Sequence, residues 1–121
     1  MADSPIDSAT FKELQDAAGE AFVVELVDTF LADAPTMLAD LRSSLAAGDA
    51  DKFRRAAHSL KSNSLTFGAA ALGALARELE HQGLGHAAAE NAQGVTQLEA
   101  LAQEYERVAA ALTELQEPPH G

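Results

Sequence analysis

The chain has 121 residues, enough for one domain with a buried core, and carries a formal net charge of -11. Hydrophobic residues make up 47%, much of it alanine, with five Phe, one Tyr and no Trp, which favours helices packed through small side chains over a β-sandwich. The absence of Cys excludes disulfides, thiolate metal sites and thiol nucleophiles, and the acidic balance argues against a nonspecific nucleic-acid binder.

In chain order, Pro5 to Ser8 reads as a lead, and Asp7 or Ser8 is placed to cap a short helix over about 9–17 that ends near Gly19. From Glu20 the apolar residues Phe22, Leu26, Phe30, Met37/Leu38, Leu41 and Leu45 keep helical spacing. Pro35 falls inside that run, either kinking one long helix or opening a second. Gly48 suits a helix C-terminus and Asp49 the next N-cap, starting a helix over about 50–66. Its buried stripe is Phe53, Ala56, Ala57, Leu60, Ser64 and Phe67, and Gly68 ends it.

A fourth helix over about 69–82 carries Leu72, Leu75 and Leu79, closed by Gly83-Leu84-Gly85. The last covers about 87–116, with Val95, Leu98, Ala102, Tyr105, Val108, Leu112 and Leu115 inward; residues 117–121 read as a tail. No strand alternation occurs. The expectation is all-α: one domain over 1–121 with an ordered core of about 8–116, an antiparallel four-helix bundle with a short additional N-terminal helix. The longest uncharged run, Ser62 to Ala76, is too short and too polar to cross a bilayer, and Met1-Ala2-Asp3-Ser4-Pro5 lacks a signal pattern. A soluble, cytoplasmic protein without a membrane partner is expected.

Four of the eight Lys/Arg residues, Lys52, Arg54, Arg55 and Lys61, crowd around His58. At about 100° per residue His58 points away from the buried stripe, and Arg54, Arg55, Lys61, Ser62 and Leu65 share its face. An imidazole that carries a phosphoryl group needs exposure, cations, small neighbours and an acceptor for its second nitrogen. Lys61, Ala57 and Ser62 supply cation and space, and Glu80 is the candidate acceptor, with pairing to Arg77 as its plainer alternative. Leu65, beside charges, is either a docking contact or partly buried; Arg54 and Arg55 are either docking residues or solvated cations. Glu78 and His81 have a Glu-x-x-His spacing, but no second copy exists, so no metal site is expected; His86 and His120 lie in a turn and the tail. Ser62-Asn63-Ser64 has no Asp–His partners for a hydrolase triad.

The run Ala57-His58-Ser59-Leu60-Lys61, with Gly68-Ala69 and later Leu75-Ala76-Arg77-Glu78-Leu79-Glu80, resembles the histidine-containing phosphotransfer (HPt) domain of two-component phosphorelays. The resemblance covers most of the chain. It implies that His58 takes a phosphoryl group from a receiver-domain aspartate and passes it to another, with Lys61 supporting the phosphate. It also implies that Glu80 or a near neighbour steadies the imidazole, and that Gly68 ends the helix. The family usually has Gly after the lysine; Ser62 here adds a hydroxymethyl group, which either narrows partner choice or donates to the phosphate. The implied partners are response-regulator receiver domains and a hybrid histidine kinase, and the expected state is a monomer. No cofactor is expected, because Mg²⁺ belongs to the receiver. No Gly-rich nucleotide loop is present, so a carrier without autokinase activity and without a fused kinase is expected. The alternative is a helical adaptor that docks and inhibits a receiver or kinase without transferring phosphate.

Overall fold

The computed structural model describes residues 5–89 and 91–116, and the side chains within them except at 84–96 and 116. Among the described residues there are five helices and no strand: α1 (Ser8–Ala18), α2 (Glu20–Ala47), α3 (Ala50–Thr66), α4 (Ala70–Ala89) and α5 (Asn91–Gln116). Helices α2 to α5 form the expected antiparallel bundle, and α1 is the additional N-terminal helix. The short connections leave no other arrangement for neighbouring helices.

The N-cap of α1 is Asp7, whose carboxylate accepts from Thr10 N–H. The Asp7 N–H in turn donates to the Gly68 carbonyl at 2.9 Å, fastening the lead segment to the α3–α4 junction, with Ile6 and Phe11 buried beside it. At about 1.5 Å per residue, α2 with 28 residues outruns α3 with 17 by roughly 16 Å, and α1 packs along α2 there. Apolar surface that a bare four-helix bundle would expose at this end is thus covered.

The buried stripe of α2 is Val23, Val27, Phe30, Ala34, Leu38 and Leu41. This corrects the expected start of that stripe: Phe22 is 51% exposed. Phe22 precedes Phe30 by eight residues, which turns it about 80° away, whereas Val23 is only about 20° off. Helix α2 also runs unbroken through Pro35. Proline has no N–H for the Leu31 carbonyl one turn earlier, and the Tyr105 hydroxyl from α5 donates to that carbonyl at 3.4 Å. Phe30 meets Phe67 and Tyr105 with ring centroids 5.4 and 5.9 Å away, joining α2, the end of α3 and α5.

Asp49 caps α3 by accepting from Lys52 N–H at 3.1 Å. At the other end, Ala69 N–H reaches the Ser64 carbonyl at 2.8 Å and Gly68 N–H the Leu65 carbonyl at 3.1 Å, a Schellman closure. Gly68 has φ +81°, and a Cβ there would lie 2.9 Å from Thr10 Cβ and 3.1 Å from the Asp7 carbonyl oxygen. Both the backbone angle and the close approach of the lead segment therefore require glycine. The expected end of α4 near residue 82 is met by a break at Gly83 (φ 77°, ψ 172°), and a further helical stretch follows it to Ala89. One glycine suffices to redirect the chain, because the residues after it can still close helical hydrogen bonds.

On α5, Leu98, Leu101, Tyr105, Val108 and Leu112 are buried. Ala102 is only partly so. Leu115, expected inward, is 40% exposed because it lies in the final turn, beyond most of its packing partners. The expectation for Val95 falls outside the described side chains.

Candidate functional site

His58 occupies the outer face of α3, its side chain 59% exposed, while Ala57 and Leu60 beside it are fully buried. Its Nδ1 lies 2.6 Å from Glu80 Oε2 on α4. The other carboxylate oxygen, Oε1, is 2.7 Å from Lys61 Nζ. One carboxylate thus bridges an imidazole and an ammonium that sit one helical turn apart. Arg77, the plainer partner considered for Glu80, does not take it.

The chemistry of the three groups follows from their partners. A carboxylate accepts hydrogen bonds, so Nδ1 is the nitrogen that carries the proton and Nε2 keeps its lone pair. Lys61 above all, aided by His58, holds the Glu80 carboxyl below its ordinary range near 4.5, against the opposing effect of its own partial burial. Glu80 is therefore ionised at neutral pH and accepts from both neighbours. The site presents an exposed nitrogen nucleophile of fixed tautomer beside a cation.

Two further features of the fold hold this geometry. Helix α4 can approach α3 closely because Gly73 has no side chain: a Cβ there would stand 2.8 Å from Leu65 Cδ2. Leu65 rests against that gap and is still 52% exposed, so it is partly buried and keeps an apolar surface open to solvent. Arg54 and Arg55 lie on the exposed face as expected, but both are held by Asp51, at 3.0 and 3.1 Å. Ser62 is exposed one turn beyond His58; its carbonyl accepts from Thr66 Oγ1 at 3.0 Å, and its own hydroxyl has no partner among the described residues. Gly68 closes α3 as expected.

The reading of the sequence missed Asp51 and Gly73. Asp51 was visible in principle, three and four residues before two arginines. Gly73 carried a weaker signal, a glycine between Leu72 and Leu75 where helix propensity disfavours it. Glu78 and His81 are exposed, and no three His, Cys, Asp or Glu residues converge to hold a metal among the described residues. The side chain of His86 and the whole of His120 fall outside the described residues.

A helical bundle with an exposed histidine held by a carboxylate from the next helix defines a class, and comparison identifies it. The Hpt domain family matches residues 25–117, and the chain belongs to that family. Its structure is similar to that of histidine-containing phosphotransfer protein B (HptB) from Pseudomonas aeruginosa PAO1, with 28% sequence identity and a TM-score of 0.81. That similarity spans 95% of this chain and 96% of the other. No curated protein sequence matches. Hpt domains are phosphocarriers and not kinases, and the chain is a phosphotransfer histidine carrier of two-component signalling. No described helix is long and apolar enough to cross a membrane.

Proposed function

We propose that His58 is the phosphoryl-carrying residue, that it takes the group from the aspartyl phosphate of one receiver domain, and that it delivers it to the aspartate of another. The observation that carries this reading is the 2.6 Å contact between His58 Nδ1 and Glu80, which leaves Nε2 as the free nitrogen of an exposed ring. In the forward step the Nε2 lone pair attacks phosphorus in line. The bond from phosphorus to the aspartyl oxygen breaks, and the receiver's carboxylate leaves with its electron pair. Nδ1 keeps its proton throughout, and Glu80 stabilises the positive charge that the ring gains. The reverse of the same step loads the second receiver.

Lys61 gives the transferred oxygens a cation one turn from the imidazole. Its ammonium lies on Glu80 in the unphosphorylated chain, so supporting the phosphate means turning from a carboxylate to a phosphoryl oxygen at similar reach. Mg²⁺ and the acidic pocket belong, on this reading, to the receiver. Leu65 and Ser62, with Arg54 and Arg55, form the surface around His58 on which the receiver settles. A hybrid histidine kinase with its own receiver fits as the upstream donor.

The relay is tested by mixing one labelled phosphoreceiver with a second, unlabelled receiver, with and without the chain. Label should reach the second receiver only when the chain is present. Equal transfer without it, or label that stops on the chain with every receiver offered, would overturn the two-receiver role.

A further inference from the structure

The four cations of α3 all have acidic partners. Lys52 pairs with Asp40, Arg54 and Arg55 with Asp51, and Lys61 with Glu80. Arg77 of α4 is exposed and has no acidic partner among the described residues. Its place follows from two contacts between the antiparallel helices. His58 meets Glu80, and seven residues further along each helix Leu65 lies against Gly73. The turn of α4 between these contacts carries Arg77, level with Lys61 and Ser62.

Around α4, Arg77 lies about 60° from Glu80, on the side opposite Leu72, Ala76 and Leu79, which are buried. It therefore borders the exposed face of α3. Side chains lean toward the N-terminus of their own helix, and these helices run in opposite directions. Lys61 leans toward His58, whereas Arg77 leans toward Leu65. The two cations serve different ends of one face.

Resting on the reading of His58 as the carrier, we propose that Arg77, with Leu65, is a specificity contact for the receiver. It selects a receiver that places an acidic side chain beside the apolar contact made by Leu65, and it takes no part in holding the phosphoryl group. The remaining charge pattern favours an acidic partner at this point. The chain's net charge of -11 repels an acidic protein in general. Arg77, a cation at this face without a carboxylate partner among the described residues, is then the group left to attract one locally. A second copy of this acidic chain is the less fitting occupant for the same reason.

The test uses the full chain, a phosphorylated receiver domain with an acidic surface residue outside its phosphorylation pocket, and the variants Arg77→Ala and Arg77→Glu. Rim charges act mainly on encounter, so Arg77→Glu should slow second-order transfer about tenfold at low salt and less than about twofold near 1 M NaCl. The lifetime of the isolated phosphohistidine should equal that of the wild type. Reversing the receiver's acidic residue to lysine should restore the rate with Arg77→Glu. Equal rates at every salt concentration would overturn the inference and leave the His58 assignment intact. A shortened phosphohistidine lifetime would overturn it differently, by making Arg77 a phosphate ligand. A wild-type chain that accepts no label would remove the reading beneath it, and the inference with it.

Discussion

Replacing Glu80 with alanine removes both the acceptor 2.6 Å from His58 Nδ1 and the counter-ion 2.7 Å from Lys61. A hydrogen bond involving a charged group contributes roughly 1.5–3 kcal/mol when sheltered. The imidazole is 59% exposed, so solvent screening brings the estimate just below that range, to about 1.4 kcal/mol. That equals about a tenfold loss of correctly oriented imidazole, and hence of transfer rate. Glu80→Gln keeps an oxygen that can accept from Nδ1–H but loses the ion pair, and should fall only about two- to threefold. Single-turnover transfer from a phosphorylated receiver measures the rate, and ring ¹⁵N shifts report which nitrogen of His58 carries the proton. Wild-type rates in Glu80→Ala, with the ring still protonated on Nδ1, would refute the reasoning. The same carboxylate gives a check on acid stability. Its folded-state pKa is lowered, so its stabilisation is complete above about 4.5 and lost as pH falls through that lowered value. Melting temperature should therefore drop less on acidification in Glu80→Gln than in the wild type.

Gly68→Ala forces a side chain into φ +81° and against Thr10 and Asp7, a cost of about 2 kcal/mol that should lower Tm by roughly 8 °C. A Tm within about 2 °C of the wild type would deny Gly68 its structural role. Tyr105→Phe removes the donor to the Leu31 carbonyl and should cost about 0.5–1 kcal/mol in urea unfolding. Pro35→Ala restores a backbone N–H for that carbonyl, so the same Tyr105→Phe change should cost less in that background, and an equal cost in both would break the link. Lys61→Ala should slow transfer or shorten the phosphohistidine lifetime while the far-UV circular dichroism is retained. Unchanged transfer would exclude the lysine from phosphate support.

Helix number and order were legible because the apolar spacing of 3 and 4 residues and the glycines at 48 and 68 act locally. The site was legible for a related reason: His58, Lys61 and Ser62 lie on consecutive turns of one helix, so their sharing of a face follows from the helical repeat alone. Glu80 is a different case. It lies 22 residues from His58, and only the register of α3 against α4 brings them together. That register depends on Gly73, whose importance shows only once Leu65 is seen filling the space above it. Phe22 and Leu115 went wrong because periodicity gives the phase of a stripe but not where the neighbouring helices stop. Pro35 illustrates the same limit. Whether proline ends a helix depends on what else can satisfy the freed carbonyl, and Tyr105 is 74 residues away in sequence from it.

The central claim is that the phosphoryl group resides on His58. Incubating the chain with a labelled phosphoreceiver and repeating the reaction with His58→Gln tests it most directly. The wild-type chain should take up label that is acid-labile and base-stable, and the variant, with an unchanged circular dichroism spectrum, should take up none. Label of the same kind on His58→Gln, or none on the wild type from any receiver of the same organism, would contradict it.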